Sequence, residues 1–150
     1  MARQFKIPIS VLVVVHTADL QVLLLERADH PGYWQSVTGS QHEGEALEDT
    51  AIREIFEETG LDARAYTLQD WKMSNKYEIF QEWRWRYAPG ITLNTEHVFS
   101  LLLRKPIDVT LAPREHLRYE WLPYDRAAEK VFSWTNAAAL RALPEHMTGR

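Results

Sequence analysis

The stretch from Gly39 to Leu61 constrains this chain more than any other. It reads Gly39, five residues, Glu45, seven residues, then Arg53-Glu54-Ile55-Phe56-Glu57-Glu58-Thr59-Gly60-Leu61. A glycine turn opens it, a helix is predicted through its middle, and Gly60 supplies the left-handed C-cap that ends the helix. At ~100° per residue, Glu54, Glu57 and Glu58 fall within about one third of the helix circumference. Ala51, Ile52, Ile55 and Phe56 occupy the neighbouring sector and predict a buried stripe. One face of the helix is therefore for the core and one for charge.

Crowding three anions costs free energy, since like charges one turn apart repel by ~0.2–0.5 kcal/mol even on an exposed helix. A solvated acidic face is the simple reading. A bound cation is the other, and hard oxygen ligands suit Mg²⁺, with Mn²⁺ as the alternative. Arg53 reaches Glu57 one turn on and holds part of the cluster in place. The chain has no cysteine, which removes disulfides, thiolate zinc sites and thiol nucleophiles. Its histidines form no His-x-x-x-His spacing, so none is assigned to metal. The net charge of −4 argues against a nucleic acid partner, whose backbone demands concentrated Lys and Arg. A polyphosphate substrate then needs a local positive site or a metal.

These positions match the Nudix box throughout, and on them the chain resembles the Nudix hydrolases, which act on a nucleoside diphosphate linked to another moiety. The resemblance implies an α/β protein with the Nudix fold, an α/β/α sandwich around a central mixed β-sheet. It covers one domain over residues 1–150, with the box at 39–61. It also implies Glu54, Glu57 and Glu58 as metal ligands. Glu115, in a loop between predicted strands beside His116, is either an exposed loop glutamate or a further metal ligand or general base. Nudix enzymes often recruit such a residue from a late loop. In the implied mechanism water attacks phosphorus in line, pyrophosphate leaves, and Glu115 or a box glutamate takes the proton. Arg53 orients the cluster.

Along the chain, Ile7 to His16 and Gln21 to Glu26 predict a hairpin of two-faced strands joined by Ala18-Asp19. Lys6 and Arg27 flank it. If the strands are antiparallel neighbours, both charges come to one end of the sheet, where they can bind a phosphate tail or simply solubilise strand ends. Tyr33 to Thr38 is a short strand leading into the Gly39 turn. Thr38 is either a phosphate contact or a plain strand threonine, and Tyr33 and Trp34 are more in keeping with a core than with a ligand stack. Ala63 to Trp71 and Tyr77 to Arg86 alternate as strands around a turn at Met73-Ser74-Asn75. The aromatic and Arg-rich run after Tyr77 suits a platform for one flat heterocycle, with Tyr77 or Phe80 against the ring. Strands follow at Glu96 to Arg104, roughly Val109 to Leu111, and Tyr119 to Leu122. Tyr124 to Val131 is a weak helix, and Asn136 to Leu143 is a helix capped by Ser133 or Thr135. Ser133 and Asn136 are also candidates to read a ring edge.

The apolar run Ile9 to Val15 is shorter than the ~20 residues that span a bilayer and precedes no convincing cleavage site, so no membrane partner and a cytoplasmic location are expected. A monomer or small homo-oligomer is expected. Outside the box, Tyr33 to Ser40, Arg86 to Glu96, Glu115-His116-Leu117 and Ser133 to Asn136 resemble a bacterial branch of the family. That branch removes pyrophosphate from a pterin triphosphate towards folate and also hydrolyses dNTPs such as dATP. The competing readings are a general dNTP pyrophosphohydrolase for ordinary or oxidised nucleotides, and a Nudix module that binds a nucleotide without cleaving it.

Overall fold

The structure, a computed structural model, describes residues 4–148. In chain order it has β1 (Ile9–Thr17), β2 (Gln21–Arg27), β3 (Trp34–Gln35), β4 (Val37–Ser40), α1 (Leu47–Thr59), β5 (Thr67–Glu78), β6 (Leu93–Leu103), β7 (His116–Pro123), α2 (Tyr124–Lys130) and α3 (Trp134–Thr148). Seven strands form one mixed sheet: β6 runs parallel to β1 and antiparallel to β5, while β2 pairs antiparallel with β3 and β7. The expected mixed central sheet with helices is what the chain builds.

Strands rich in Val and Leu are buried on both sides. Alternate residues of β1 point to opposite faces. Val11, Val13 and Val15 pack with Ile55 and Ala51 of α1, and Leu12 and Val14 pack with Leu140 and Leu143 of α3. Each such buried aliphatic side chain contributes ~1.5–3 kcal/mol relative to exposure. Among the described residues no helix is long and apolar enough to cross a membrane.

The β1/β2 hairpin departs from expectation. Only His16 and Val22 are paired across it, because Ser10 to Val13 take β4 as their partner instead. The strands therefore diverge from the turn, and the sheet forks where Arg27, Gln35 and Thr38 stand. The run from Tyr33 to Thr38 is not one strand but two, β3 on β2 and β4 on β1. Ser36 makes the switch, its N–H donating to Asn136 Oδ1 at 2.9 Å and its hydroxyl accepting from Asn136 Nδ2 at 3.0 Å.

The turn expected at Met73 to Asn75 is absorbed into β5. There Trp71, Lys72 and Met73 stand opposite Val98 alone, with Lys72 at φ 57°, so the long β6 carries the pairing past a bulge. Nor does the predicted strand reach Arg86: β5 ends at Glu78, and Gln81–Arg86 is a 3-10 turn. Its three-residue repeat places Phe80 and Trp83 on one side, stacked 5.2 Å apart. Ala63–Ala65 is also 3-10, capped by the Asp62 side chain. Val109 to Leu111 is a loop, not a strand; Thr110 N–H donates to Thr59 O at 2.9 Å and closes the end of α1.

Helix α1 ends at Gly60 with φ 77°, as its spacing predicts. Its buried arc keeps Ala51 and Ile55, with Ile52 packed against the core, but leaves out Phe56. Thr50, Ala51, Glu54, Ile55, Glu58 and Thr59 are buried, and Phe56 is 61% exposed. Phe56 lies ~100° beyond Ile55 and turns past the sheet, so two glutamates take the place expected of that ring.

Candidate active site

A cleft of about 1300 Å³ opens at the fork of the sheet. The turn from β4 into α1 forms one end. Gly39 is packed so tightly there that a Cβ would stand 1.5 Å from Glu54 Oε2. Arg53 locks this turn to the helix. Its Nε and Nη2 donate to the two oxygens of Glu45 at 2.9 and 3.0 Å, Nη2 also donates to Ser40 O, and Nη1 donates to Glu54 at 2.9 Å and Glu57 at 3.1 Å. Glu45 also accepts from His42 N–H and the Thr50 hydroxyl. The Arg53 hydrogen bonds hold the Glu45 carboxyl down to about 2. Arg53 thus positions carboxylates, and its guanidinium is engaged by the protein itself.

Glu54 and Glu58 face the cleft from within the protein. Burial, then the charge of Glu57, pushes the Glu54 carboxyl above its ordinary range against the pull of Arg53. Burial, then repulsion from Glu54 and Glu115, pushes Glu58 well up. Glu115, in the turn before β7, therefore lies within electrostatic reach of both, and it lines the same cleft. His116 follows it, buried, with Nε2 3.9 Å from Glu58 Oε1. Burial, then Arg27, draws the imidazole down to about 4, so at neutral pH it is uncharged and no ion pair forms.

The donor set fits a divalent cation. Glu58 Oε1 is buried without a hydrogen-bond partner, and burial, with repulsion between neighbouring carboxyls, makes the charged forms of Glu54 and Glu58 costly, a cost that a bound cation would offset. Carboxylate oxygens without thiolates suit a hard ion. Among the described residues no three such groups yet form a closed cage, since Arg53 draws Glu54 and Glu57 towards itself.

Lys6 and Arg27 do meet at this cleft, through the fork rather than through hairpin pairing. Burial, then the charges of Arg86 and Arg27, lowers the Lys6 ammonium, while Glu54 and Glu115 oppose the shift. Arg27 is held by both oxygens of Asp29 at 2.8 and 2.7 Å and lies 4.3 Å over the Trp83 ring. Arg86 joins Asp29 at 3.2 Å. Thr38 gives its hydroxyl to Val11 O at 2.9 Å, and its backbone N–H, not its side chain, reaches Glu58.

The other end of the cleft is aromatic. Phe80 and Trp83 are stacked, Phe132 packs edge to face against both, and these rings line it together with Tyr77. Tyr33 is stacked between His30 and Phe132, and Trp34 is buried in the core, as a packing role requires. Ser133 caps α3, accepting from Asn136 N–H at 3.2 Å, and Asn136 is engaged by Ser36. Tyr77 O–H accepts from Asn94 Nδ2 at 3.1 Å. Glu96, 4% exposed, lines this end and is absent from any reading of the box. Its signal was three polar residues, Asn94, Glu96 and Ser100, on one face of a strand and all buried. Arg86 was legible only as part of an aromatic and basic run.

The residues expected to bind metal or substrate, from Lys6 and Arg27 through the box glutamates to Tyr77, Phe80, Glu115 and Ser133, therefore line one cleft, together with the rings of Trp83 and Phe132. The chain is 45% identical over 141 residues to dihydroneopterin triphosphate diphosphatase of Escherichia coli K12, covering 92% of this chain and 93% of that one. It is 41% identical to the enzyme of the same name from Haemophilus influenzae, covering 94% and 90%. The solved structure of the Escherichia coli dihydroneopterin triphosphate pyrophosphohydrolase superposes with a TM-score of 0.87 at 43% identity, over 93% of this chain and 96% of that one. The NUDIX domain family matches residues 6–143. This chain belongs to the Nudix family.

Proposed function

We propose that this protein is a Mg²⁺-dependent hydrolase that converts 7,8-dihydroneopterin 3′-triphosphate to dihydroneopterin monophosphate and pyrophosphate, a step towards folate. The observation that carries the reading is the 45% identity, spread over nearly the full length of both chains, to dihydroneopterin triphosphate diphosphatase. The cleft supports it: an aromatic end suits a flat pterin ring, and an acidic end next to cationic side chains suits a metal-bound triphosphate.

Glu54, Glu57, Glu58 and Glu115 would hold the ion. A divalent cation there, Mg²⁺ or Mn²⁺, supplies charge neutralisation for the phosphates and a lower pKa for water. Lys6 and Arg27 steady the phosphates, and Arg86 fixes Asp29 so that Arg27 keeps its aim. Glu115 or Glu58 takes the proton from the attacking water. Arg53 keeps Glu54 and Glu57 from swinging away, and Gly39 leaves the room that Glu54 fills. Phe80 and Tyr77 flank the ring. No covalent enzyme intermediate is needed.

The test is turnover of dihydroneopterin triphosphate, dATP and 8-oxo-dGTP with Mg²⁺, comparing kcat/KM and identifying products by mass. Highest kcat/KM on the pterin, with release of pyrophosphate and the monophosphate, is expected. A clear preference for either nucleotide would overturn the substrate, and turnover without added divalent ion would overturn the metal.

A further inference from the structure

Glu96 is a buried carboxyl that the hydrolytic chemistry does not use. Of the other buried glutamates, Glu26 is paired with Arg118 at 2.8 Å and with Gly32 N–H at 2.9 Å, and Glu54 and Glu58 belong to the box. Among the described residues, no cation acts on the Glu96 carboxyl. The Thr135 hydroxyl donates to its carboxyl group, while Oε1 is buried with no partner at all. Burial, eased by that Thr135 bond, pushes the carboxyl up to about 7, and no charge from the box contributes.

The strand places it on the sheet face away from the box helix. Glu96 lies opposite Ser10 on β1 and Asn75 on β5, and it shares its sheet face with Val98, which packs towards α3. The box helix packs on the other face with Phe99 and Leu101. Around Glu96 stand Tyr77, whose hydroxyl proton it holds more firmly after burial has done so, and Thr135 in the first turn of α3. Glu96, Tyr77, Phe80 and Phe132 all line the same end of the cleft.

A carboxylate presents two acceptors in one plane, and its complement is a pair of adjacent N–H donors. The 2-amino-4-oxo pyrimidine ring, common to pterins and guanine, presents such a pair in a ring N–H beside an exocyclic amine. Adenine presents a donor beside an acceptor. We infer that Glu96 is the specificity residue that reads this 2-amino-4-oxo edge, accepting from the ring N–H and the amine together. The inference deepens the proposed function, on which it rests for the pterin. Leaving a buried acceptor unpaired is costly, so a ring that brings both donors gains from Glu96 what a ring with fewer does not.

The experiment compares the wild type with Glu96→Gln on dihydroneopterin triphosphate, dGTP, dITP, which lacks the 2-amino group, and dATP. The wild type should favour dGTP over dITP. Glu96→Gln, which replaces one acceptor by a donor, should abolish that preference and lower kcat/KM on the pterin and dGTP at least about tenfold, mostly through KM. Turnover of dATP should change less than about threefold. Equal losses on all four substrates, no loss on dGTP and the pterin, or a wild type indifferent to the 2-amino group would each overturn the inference. Calorimetric binding of phosphate-free dihydroneopterin to both proteins gives the same comparison without turnover, and equal affinities would again overturn it. A wild type that ignores the pterin triphosphate but prefers dGTP to dITP would sink the substrate proposal and leave Glu96 as the edge reader.

Discussion

Gly39 and Glu54 occupy one space: a Cβ on the glycine would stand 1.5 Å from Oε2 of the glutamate and 2.0 Å from its Cδ. The box needs glycine here for the room that the carboxylate takes, because no left-handed backbone is involved. Gly39→Ala should therefore leave a folded protein whose Glu54 has been pushed off its position. Misplacement on the order of 1 Å at a catalytic site can cost ~10²-fold. A fall in kcat of that order with a melting temperature within a few degrees of wild type is expected. Unchanged kcat would show that the displaced carboxylate is dispensable.

Glu45 clamps the same turn by receiving two hydrogen bonds from Arg53. Its carboxyl is held down to about 2, so its stabilising effect is present above the unfolded value and disappears as pH falls through the folded one. Glu45→Gln should cost roughly 1–3 kcal/mol at pH 7, discounted for partial exposure. Urea titrations should show the two proteins converging in stability as pH drops from 5 towards 2.

Glu96 titrates in the opposite sense. Its folded carboxyl is raised to about 7, so the stability it contributes is complete below the unfolded value and is lost as pH rises through 7. Glu96→Gln should match wild type near pH 4 and exceed it at pH 8 by on the order of 1–3 kcal/mol. Thermal melts across that range measure the crossing, and a constant difference would mean that the carboxyl titrates in the fold as it does in the unfolded chain.

Glu58→Gln keeps the shape and removes the charge that burial and its neighbours resist. The variant should be at least as stable as wild type, while kcat falls by ~10² or more. Glu115→Ala separates its roles: a similar loss marks it as chemical, and a change under about twofold marks a bystander. Both are read from steady-state kinetics with saturating Mg²⁺.

Much of this was legible in the chain because helical spacing is rigid. Three glutamates at fixed offsets had to share a face, Gly60 had to end the helix, and Arg53 had to reach Glu57. What escaped was decided by partners distant in sequence. The exposure of Phe56 follows from how α1 tilts on the sheet, and the continuity of β5 through Met73 follows from the length of β6. The 3-10 turn at Gln81–Arg86 escaped because a three-residue repeat and a strand alternation look alike over so short a run. Glu96 reads as an ordinary strand residue until α3 closes over it.

The fork between β2 and β4 carries a further consequence. Because the hollow is shaped by which backbones are zipped together, substrate finds it ready-made, and little ordering entropy is surrendered on docking. The rings of Phe80, Trp83 and Phe132 stand on segments other than the box helix. Evolution can therefore exchange the ring-facing side chains for a new substrate while the phosphate-cutting end stays as it is.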